Sequence, residues 1–508
     1  MNRPPLLMLR IALTALVLAA AVPASAQSDI EQARAAMTKL IATLAEQGML
    51  PKDKAEVLLK EVAPPPPVPV AANGKPAPPV RVGYMPQFVR DEIKRELRAE
   101  LADQAAREGW AGPNAVPAWT RGMVIDGDVR VRLQADQFDG RNAPALSIGE
   151  TNRNRAATLA NTTEDRERLR VRARVGVTAT LDENWAAGIR LTTGSSTDPI
   201  SSNQTLGNYG NRFTLALDRA FVRWRWGDSA NAVVGRFGNP WFGTDLVWAN
   251  DLGFDGVAAQ WTPAIGSWGR AFVTMAAMPV QEVELSSADK WLFGVQVGAE
   301  TNRLFGRASA KVGIGYYAYD GTTGQPSPAG STRNEFTAPA FTQKGNTYYN
   351  ISSDPARPLL GLASDFELIN LTGSLSVPLG SKRLAISGDW VRNLGFNRRA
   401  VAARAGFDVK PQVTGWQTRL AFGDAEVARA GDWQLFAGYK RLERDAVPDA
   451  FTDSDLRLGG TDVKGYTVGG SVGLGRNTAL SLRVLSGDSI SGPPLAVDVF
   501  QLDLNVRY

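Results

Sequence analysis

From residue 123 onward the chain alternates apolar and polar residues one at a time. The last nine residues show the pattern most clearly. Phe500, Leu502, Leu504, Val506 and Tyr508 fall on one face of a strand, and Gln501, Asp503, Asn505 and Arg507 fall on the other. Successive strand side chains point to opposite faces, so such a strand has one apolar wall and one wet wall. Comparable stretches cover residues 123–134, 167–180, 184–192, 216–226, 230–237, 253–261, 270–278, 291–300, 306–318, 366–377, 382–393, 413–423, 432–440, 463–474, 478–485 and 499–508. That makes about sixteen strands, an even number within the range of single-chain transmembrane barrels.

The connections sharpen the reading. Residues 181–183, 227–229, 378–381 and 475–477 are tight turns, while 135–166, 193–215, 319–365 and 441–462 are long polar stretches. Short turns alternating with long loops are the expected asymmetry of a membrane barrel, and a soluble sandwich has no reason to alternate this way. Trp185, Trp224, Trp226, Trp261, Trp268, Trp291, Trp390, Trp416 and Trp433 sit near predicted strand ends, as interfacial girdles would. Past the first residues no stretch of eighteen apolar residues occurs, which argues against helical spans. The expected fold is an all-β transmembrane barrel of about 16 antiparallel strands over 123–508, behind a short α-helical periplasmic extension.

The first part of the chain follows other rules. Arg3 and Arg10, an apolar run at 11–22 and Ala24-Ser25-Ala26 form a signal peptide over 1–26. Residues 27–62 read as a helical hairpin, with Ile30, Ala33, Met37, Leu40, Ile41 and Leu44 at helical spacing and Gly48 as the break. Residues 63–84 are a proline-rich linker that favours extended conformation. A periplasmic helix and connection occupy 85–122. Asp91–Arg95 and Asp103–Arg107 are acid-before-base pairs at helical spacing, and Phe88, Val89, Ile93, Leu97 and Leu101 form an apolar stripe. The stripe fits a coiled-coil seam between subunits or a helix lying against the barrel base.

Charge and rare residues narrow the chemistry. The chain has 56 basic and 51 acidic residues, a formal charge of +5. That balance argues against nucleic acid as a partner. There is no cysteine, which excludes disulfides and a lipidated amino-terminal cysteine, and no histidine. The lack of histidine removes Ser-His-Asp catalysis, imidazole bases and histidine metal sites. No catalytic residue, metal site or cofactor is expected.

Strand phase places the charged residues. On the second strand Leu169, Val171, Ala173, Val175 and Val177 face lipid, so Arg168, Arg170, Arg172 and Arg174 face the lumen. Arg130 and Arg132 on the first strand and Arg219, Arg223 and Arg225 on the fourth follow the same logic. The opposite phase would place these arginines in lipid at ~2–4 kcal/mol each near the midplane. Asp218 falls on the lipid side in this phase and is therefore expected at the rim. The nine arginines form a basic wall lining the lumen, which favours anions. Alternatively they pair with lumen acids such as Asp126 and Asp128 and stiffen the wall.

The end of the chain resembles the recognition signal of bacterial outer-membrane barrels, carried by Phe500 and Tyr508. The mature chain as a whole resembles the bacterial "putative porin" family. The matching phrases are R-D-E-I-K-R-E-L-R-A-E-L-A-D-Q-A-A-R-E-G-W, I-D-G-D-V-R-V-R-L, G-R-F-G-N-P-W-F-G-T-D-L-V-W-A-N-D-L-G-F-D-G-V-A and V-F-Q-L-D-L-N-V-R-Y. The resemblance implies a channel in the bacterial outer membrane with its amino-terminal extension in the periplasm. Outer-membrane lipid, the barrel assembly machinery and a homotrimeric arrangement are the partners it implies. In porin-like barrels the loop corresponding to 238–252 folds inward, which would set Asp245 and Asp251 against the arginines across a constriction. The alternative is an outer loop packed on its own Trp241, Phe242 and Trp248. The loop bearing Asp445, Asp449, Asp453 and Asp455 lacks the spacing and glycine of a calcium site and reads as solvated.

Two functions fit these observations. One is a passive porin for small hydrophilic solutes, preferring anions. The other is a structural barrel whose amino-terminal helices reach peptidoglycan or a periplasmic partner, motivated by the proline-rich linker. An outer-membrane enzyme is disfavoured by the missing histidine.

Overall fold

The computed structural model describes residues 122–144, 161–284 and 286–508. The expected signal peptide (1–26), helical hairpin (27–62), linker (63–84) and all but the last residue of the helix and connection at 85–122 lie outside the described residues.

Sixteen long antiparallel strands close into one barrel. They are β1 (Met123–Phe138), β2 (Arg166–Thr180), β3 (Trp185–Thr193), β4 (Leu215–Trp226), β5 (Ala230–Gly238), β6 (Gly253–Trp261), β7 (Gly269–Gln281) and β8 (Lys290–Leu304). The second half comprises β9 (Ala308–Asp320), β10 (Glu367–Leu379), β11 (Lys382–Asn393), β12 (Thr414–Gly423), β13 (Trp433–Leu442), β14 (Val463–Gly475), β15 (Thr478–Ser489) and β16 (Val497–Arg507). Each strand pairs with the next, and β16 returns to β1 with Asp128 opposite Arg507 and Phe138 opposite Val497. Closure leaves no unpaired strand edge to face lipid, where each unsatisfied backbone group is costly. Tyr508 fastens the seam. It exchanges backbone hydrogen bonds with Gly127, both 3.1 Å, and its hydroxyl donates to the Arg174 carbonyl at 3.2 Å. A side chain at position 127 would collide with the Tyr508 ring, 2.5 Å from a Cβ placed there.

Burial is inverted relative to a soluble sheet. Val129, Val131, Leu133, Leu169, Val175 and Val177 are exposed, while Arg132, Gln134, Asp136, Gln501 and Asp503 are buried. The alternation predicts this, because the apolar face meets lipid and the polar face meets the lumen. Aromatics cap both rims. Trp185 stacks on Trp224 at 5.4 Å near the short turns, and Trp416 lies 5.4 Å from Tyr439 near the long loops.

The structure corrects the phase of β4. Arg190 opposes Arg219 while Leu191 opposes Leu217, so a bulge inserts Asp218. An extra residue resets the alternation. Leu215 and Leu217 therefore stay on the exposed face, and Asp218 turns inward to pair with Arg190 instead of lying at the lipid rim.

The long loops carry structure that alternation does not predict. Residues Tyr348–Asn350 and Leu360–Leu362 form a separate two-stranded sheet. A helix, α1 (Arg398–Ala405), has no apolar stripe. Its ends define it: the Asn397 side chain accepts from the Arg399 and Ala400 N–H groups, and Gly406 stops it at φ 80°. Inside the barrel, Leu246, Trp248, Tyr317, Phe366, Leu442, Leu485 and Val499 belong to one buried apolar cluster.

Candidate functional site in the barrel lumen

The wall formed by β1 and β2 sets like charges opposite each other. Arg130 faces Arg172 and Arg132 faces Arg170 across the ladder. Such pairs repel unless acids intervene. Asp128 bridges Arg172 (2.7 Å) and Arg174 (2.6 Å). Asp136 binds Arg168. Arg132 makes a two-pronged contact with Asp503 of β16, at 2.7 and 2.9 Å, and reaches Asp455 at 3.3 Å. Of Arg130, Arg132, Arg168, Arg170, Arg172 and Arg174, two have no acid partner among the described residues. Arg130 donates only to the Asn203 amide oxygen (2.5 Å) and Arg170 only to the Gln134 amide oxygen (3.2 Å). Neither has a carboxylate within ion-pair distance among the described residues, and the Nε of each is buried without a partner.

Arg219, Arg223 and Arg225 stand apart from this cluster. Arg219 lies 4.0 Å from Asp218. Arg223 rests 5.3 Å from the Phe221 ring, and Arg225 donates to the Glu183 carbonyl in a short turn at 3.0 Å.

Residues 239–252 cross the lumen. Gln296 of β8 holds both polar groups of the Phe242 backbone, at 2.8 and 2.7 Å. Asp389 of β11 accepts from the Thr244 N–H and hydroxyl at 3.1 and 2.6 Å. Asp245 meets Gln417 of β12 at 2.9 Å and Lys440 of β13 at 3.1 Å. Trp248 packs edge-on against Tyr317 and Phe254, each 5.2 Å away. The segment then returns to β2, where Asp251 sits 3.3 Å from Arg172 and 3.4 Å from Arg174. The two aspartates therefore do not act together. Asp251 touches the arginines, whereas Asp245 serves the opposite wall, because the segment spans the barrel between them. Burial pushes the Asp251 carboxyl up, but Arg172, the Ser202 hydroxyl and Arg174 together hold it below the usual range.

The acidic loop is not solvated, which corrects the sequence reading. Asp445 accepts from the Thr347 N–H and hydroxyl, and Asp449 from the Tyr348 hydroxyl. Asp453 lies 3.1 Å from Lys440, and Asp455 lies 2.9 Å from Arg483. Burial pushes the Asp445 carboxyl up to about 6 and that of Asp449 up to about 7. Burial opposes ionisation of Asp455 as well, but Arg483 and Arg132 hold it well below the usual range. This loop and the crossing segment lock together. The Ala249 N–H donates to the Phe451 carbonyl (2.7 Å), and the Thr452 hydroxyl donates to the Leu246 carbonyl (2.8 Å).

Lys440, Arg419 and Arg483 also carry lumen charge and are not singled out in the sequence analysis. Their signal was present: each alternates with exposed Leu or Tyr neighbours, Arg419 beside Leu420 and Arg483 beside Leu482.

Among known structures, the chain is similar to the outer membrane channel DcaP of Acinetobacter baumannii, with 11% identity, 76% of this chain and 98% of that chain covered, and a TM-score of 0.40. It is similar to OprB of Pseudomonas putida, at 10% identity, 82% and 96% coverage and a TM-score of 0.41. It is also similar to the anion-selective porin from Comamonas acidovorans, at 12% identity, 76% and 99% coverage and a TM-score of 0.41. No curated protein matches. A family model described as "Putative porin" matches residues 34–508. With a lipid-facing belt around a polar lumen, the molecule is an outer-membrane channel barrel, and the chain belongs to that porin family.

Proposed function

We propose that this barrel is a passive channel for small hydrophilic solutes and that it prefers anions. One observation carries the preference: Arg130 and Arg170 line the wall with no carboxylate in ion-pair distance among the described residues. A passing anion finds two guanidinium groups whose charge its own wall leaves unneutralised, and guanidinium suits carboxylate and phosphate oxygens. The segment 239–252 narrows the passage, with arginines on one side of it and Asp245 and Lys440 on the other. Reversal potential across a KCl gradient in a planar bilayer tests the reading. Anion preference that weakens in Arg130→Gln/Arg170→Gln supports it. Cation preference in the unaltered protein overturns it.

On the same reading, Phe500 and Tyr508 form the signal read by the assembly machinery, and cross-linking in the membrane tests the homotrimer. A structural role is the second reading, favoured by the proline-rich composition of 63–84. Deleting residues 28–81 separates the two. Envelope defects with intact permeability favour a tether to peptidoglycan or a periplasmic partner; an intact envelope removes that reading.

A further inference from the structure

The long-loop end of the barrel holds a cavity of about 680 Å³, within the range that takes small organic ligands. Most of its wall is apolar, including Phe254, Phe341 and Phe451. Three polar groups on that wall are incompletely used. Lys290 is buried, and its ammonium donates only to neutral oxygens, Gln281 Oε1 at 2.9 Å and the Ala338 carbonyl at 2.7 Å. An ammonium has three donors, so one remains. Lys290 has no carboxylate in ion-pair distance among the described residues. Tyr319 is 8% and Asp449 1% exposed, and the Tyr319 hydroxyl and Asp449 Oδ2 have no hydrogen-bond partner among the described residues. Other acids on the wall are committed: Asp218 to Arg190, Asp251 to Arg172 and Arg174, Asp255 to Arg236, and Asp198 to the Ile200 N–H at 3.1 Å.

We infer that this cavity is a solute subsite for an aromatic or cyclic carboxylic acid that also carries a hydroxyl group. The inference rests on the channel reading and adds a solute class to it. The solute carboxylate meets the Lys290 ammonium, a charge-assisted bond stronger than a neutral one. Its ring lies against the aromatic wall. Its hydroxyl meets the Tyr319 hydroxyl or Asp449 Oδ2, two atoms otherwise buried and unpaired at a cost. Burial pushes the Asp449 carboxyl up to about 7, so near neutrality a large share is protonated and does not repel the anion.

The test uses 4-hydroxybenzoate on the full-length channel in a planar bilayer, with acetate and benzamide as controls. The expected result is interruption of the KCl current by 4-hydroxybenzoate at concentrations where neither control acts. Lys290→Met should weaken the apparent affinity about tenfold or more, and Tyr319→Phe about fivefold. Equal interruption by acetate, or unchanged affinity in both variants, overturns the subsite. If Lys290→Met does not insert, Tyr319→Phe alone decides. Absence of KCl current in the unaltered protein refutes the channel instead. Equilibrium dialysis of 4-hydroxybenzoate against the detergent-solubilised protein then still decides the subsite, with no binding overturning it.

Discussion

Replacing Arg132 by methionine isolates the energetics of the lumen wall. The Arg132 side chain is 1% exposed and that of Asp503 7%. Arg132 is the only ion-pair partner of Asp503 among the described residues, while Asp455 retains Arg483 at 2.9 Å and Gln501 at 3.1 Å. Removing one partner of a buried pair costs about 3–5 kcal/mol, because it strands the other charge. Asp455 is not stranded, so the lower end, about 3 kcal/mol, is expected. The double variant Arg132→Met/Asp503→Leu removes both charges and should return to within about 1 kcal/mol of the parent. Urea unfolding of the detergent-solubilised barrel, followed by tryptophan fluorescence, measures both. A loss below about 1 kcal/mol in the single variant means that lumen water screens the pair as it would at a surface. A double variant as unstable as the single one refutes the stranded-charge reasoning directly.

Asp449 and Asp445 make the inner loop sensitive to pH. Their folded values are raised to about 7 and about 6, so their contribution is full below about pH 4 and falls as pH rises, each by at most about 1.4 kcal/mol per unit. Protease cleavage within 443–462 should therefore increase from pH 4 to 7, and Asp449→Asn should flatten the part between pH 6 and 7; an unchanged profile counts against burial as the cause. Deleting residues 241–250 should raise single-channel conductance, and an unchanged value would show that the segment does not narrow the pore. Gly294→Val should displace Trp241, whose ring lies 2.7 Å from a Cβ at that position, costing about 1–3 kcal/mol and shifting the tryptophan emission. Unaltered emission would mean that the ring is not seated there.

The staves were legible because alternation is a local property, written into each short stretch without reference to its neighbour. The inward direction of Arg168, Arg170, Arg172 and Arg174 was legible for the same reason, since lipid rejects charge. Pairing was not. Nothing near Arg132 in the chain announces Asp503, which lies 371 residues away. Asp445, Asp449, Asp453 and Asp455 looked solvated because their partners Thr347, Tyr348, Lys440 and Arg483 come from separate elements. The bulge at Asp218 escaped because a period of two does not reveal one inserted residue. The helix Arg398–Ala405 escaped because its stability comes from its caps and not from an apolar stripe. Facing both Asp245 and Asp251 toward the arginines treats the segment as one-sided, whereas a segment that spans the barrel reaches two walls, Asp251 meeting Arg172 and Asp245 meeting Lys440.

The crossing segment draws its holdfasts from much later in the chain. Its bonds to Asp389, Gln417, Lys440 and Thr452 join residues 145, 172, 195 and 207 positions apart. A chain halted after β9 would keep the anchors to Gln296, Arg172 and Arg174 but lack those to Asp389, Gln417, Lys440 and Thr452. Full anchoring of the crossing segment at both walls is therefore a late property of this molecule, reached only once the loop that carries Thr452 is in place.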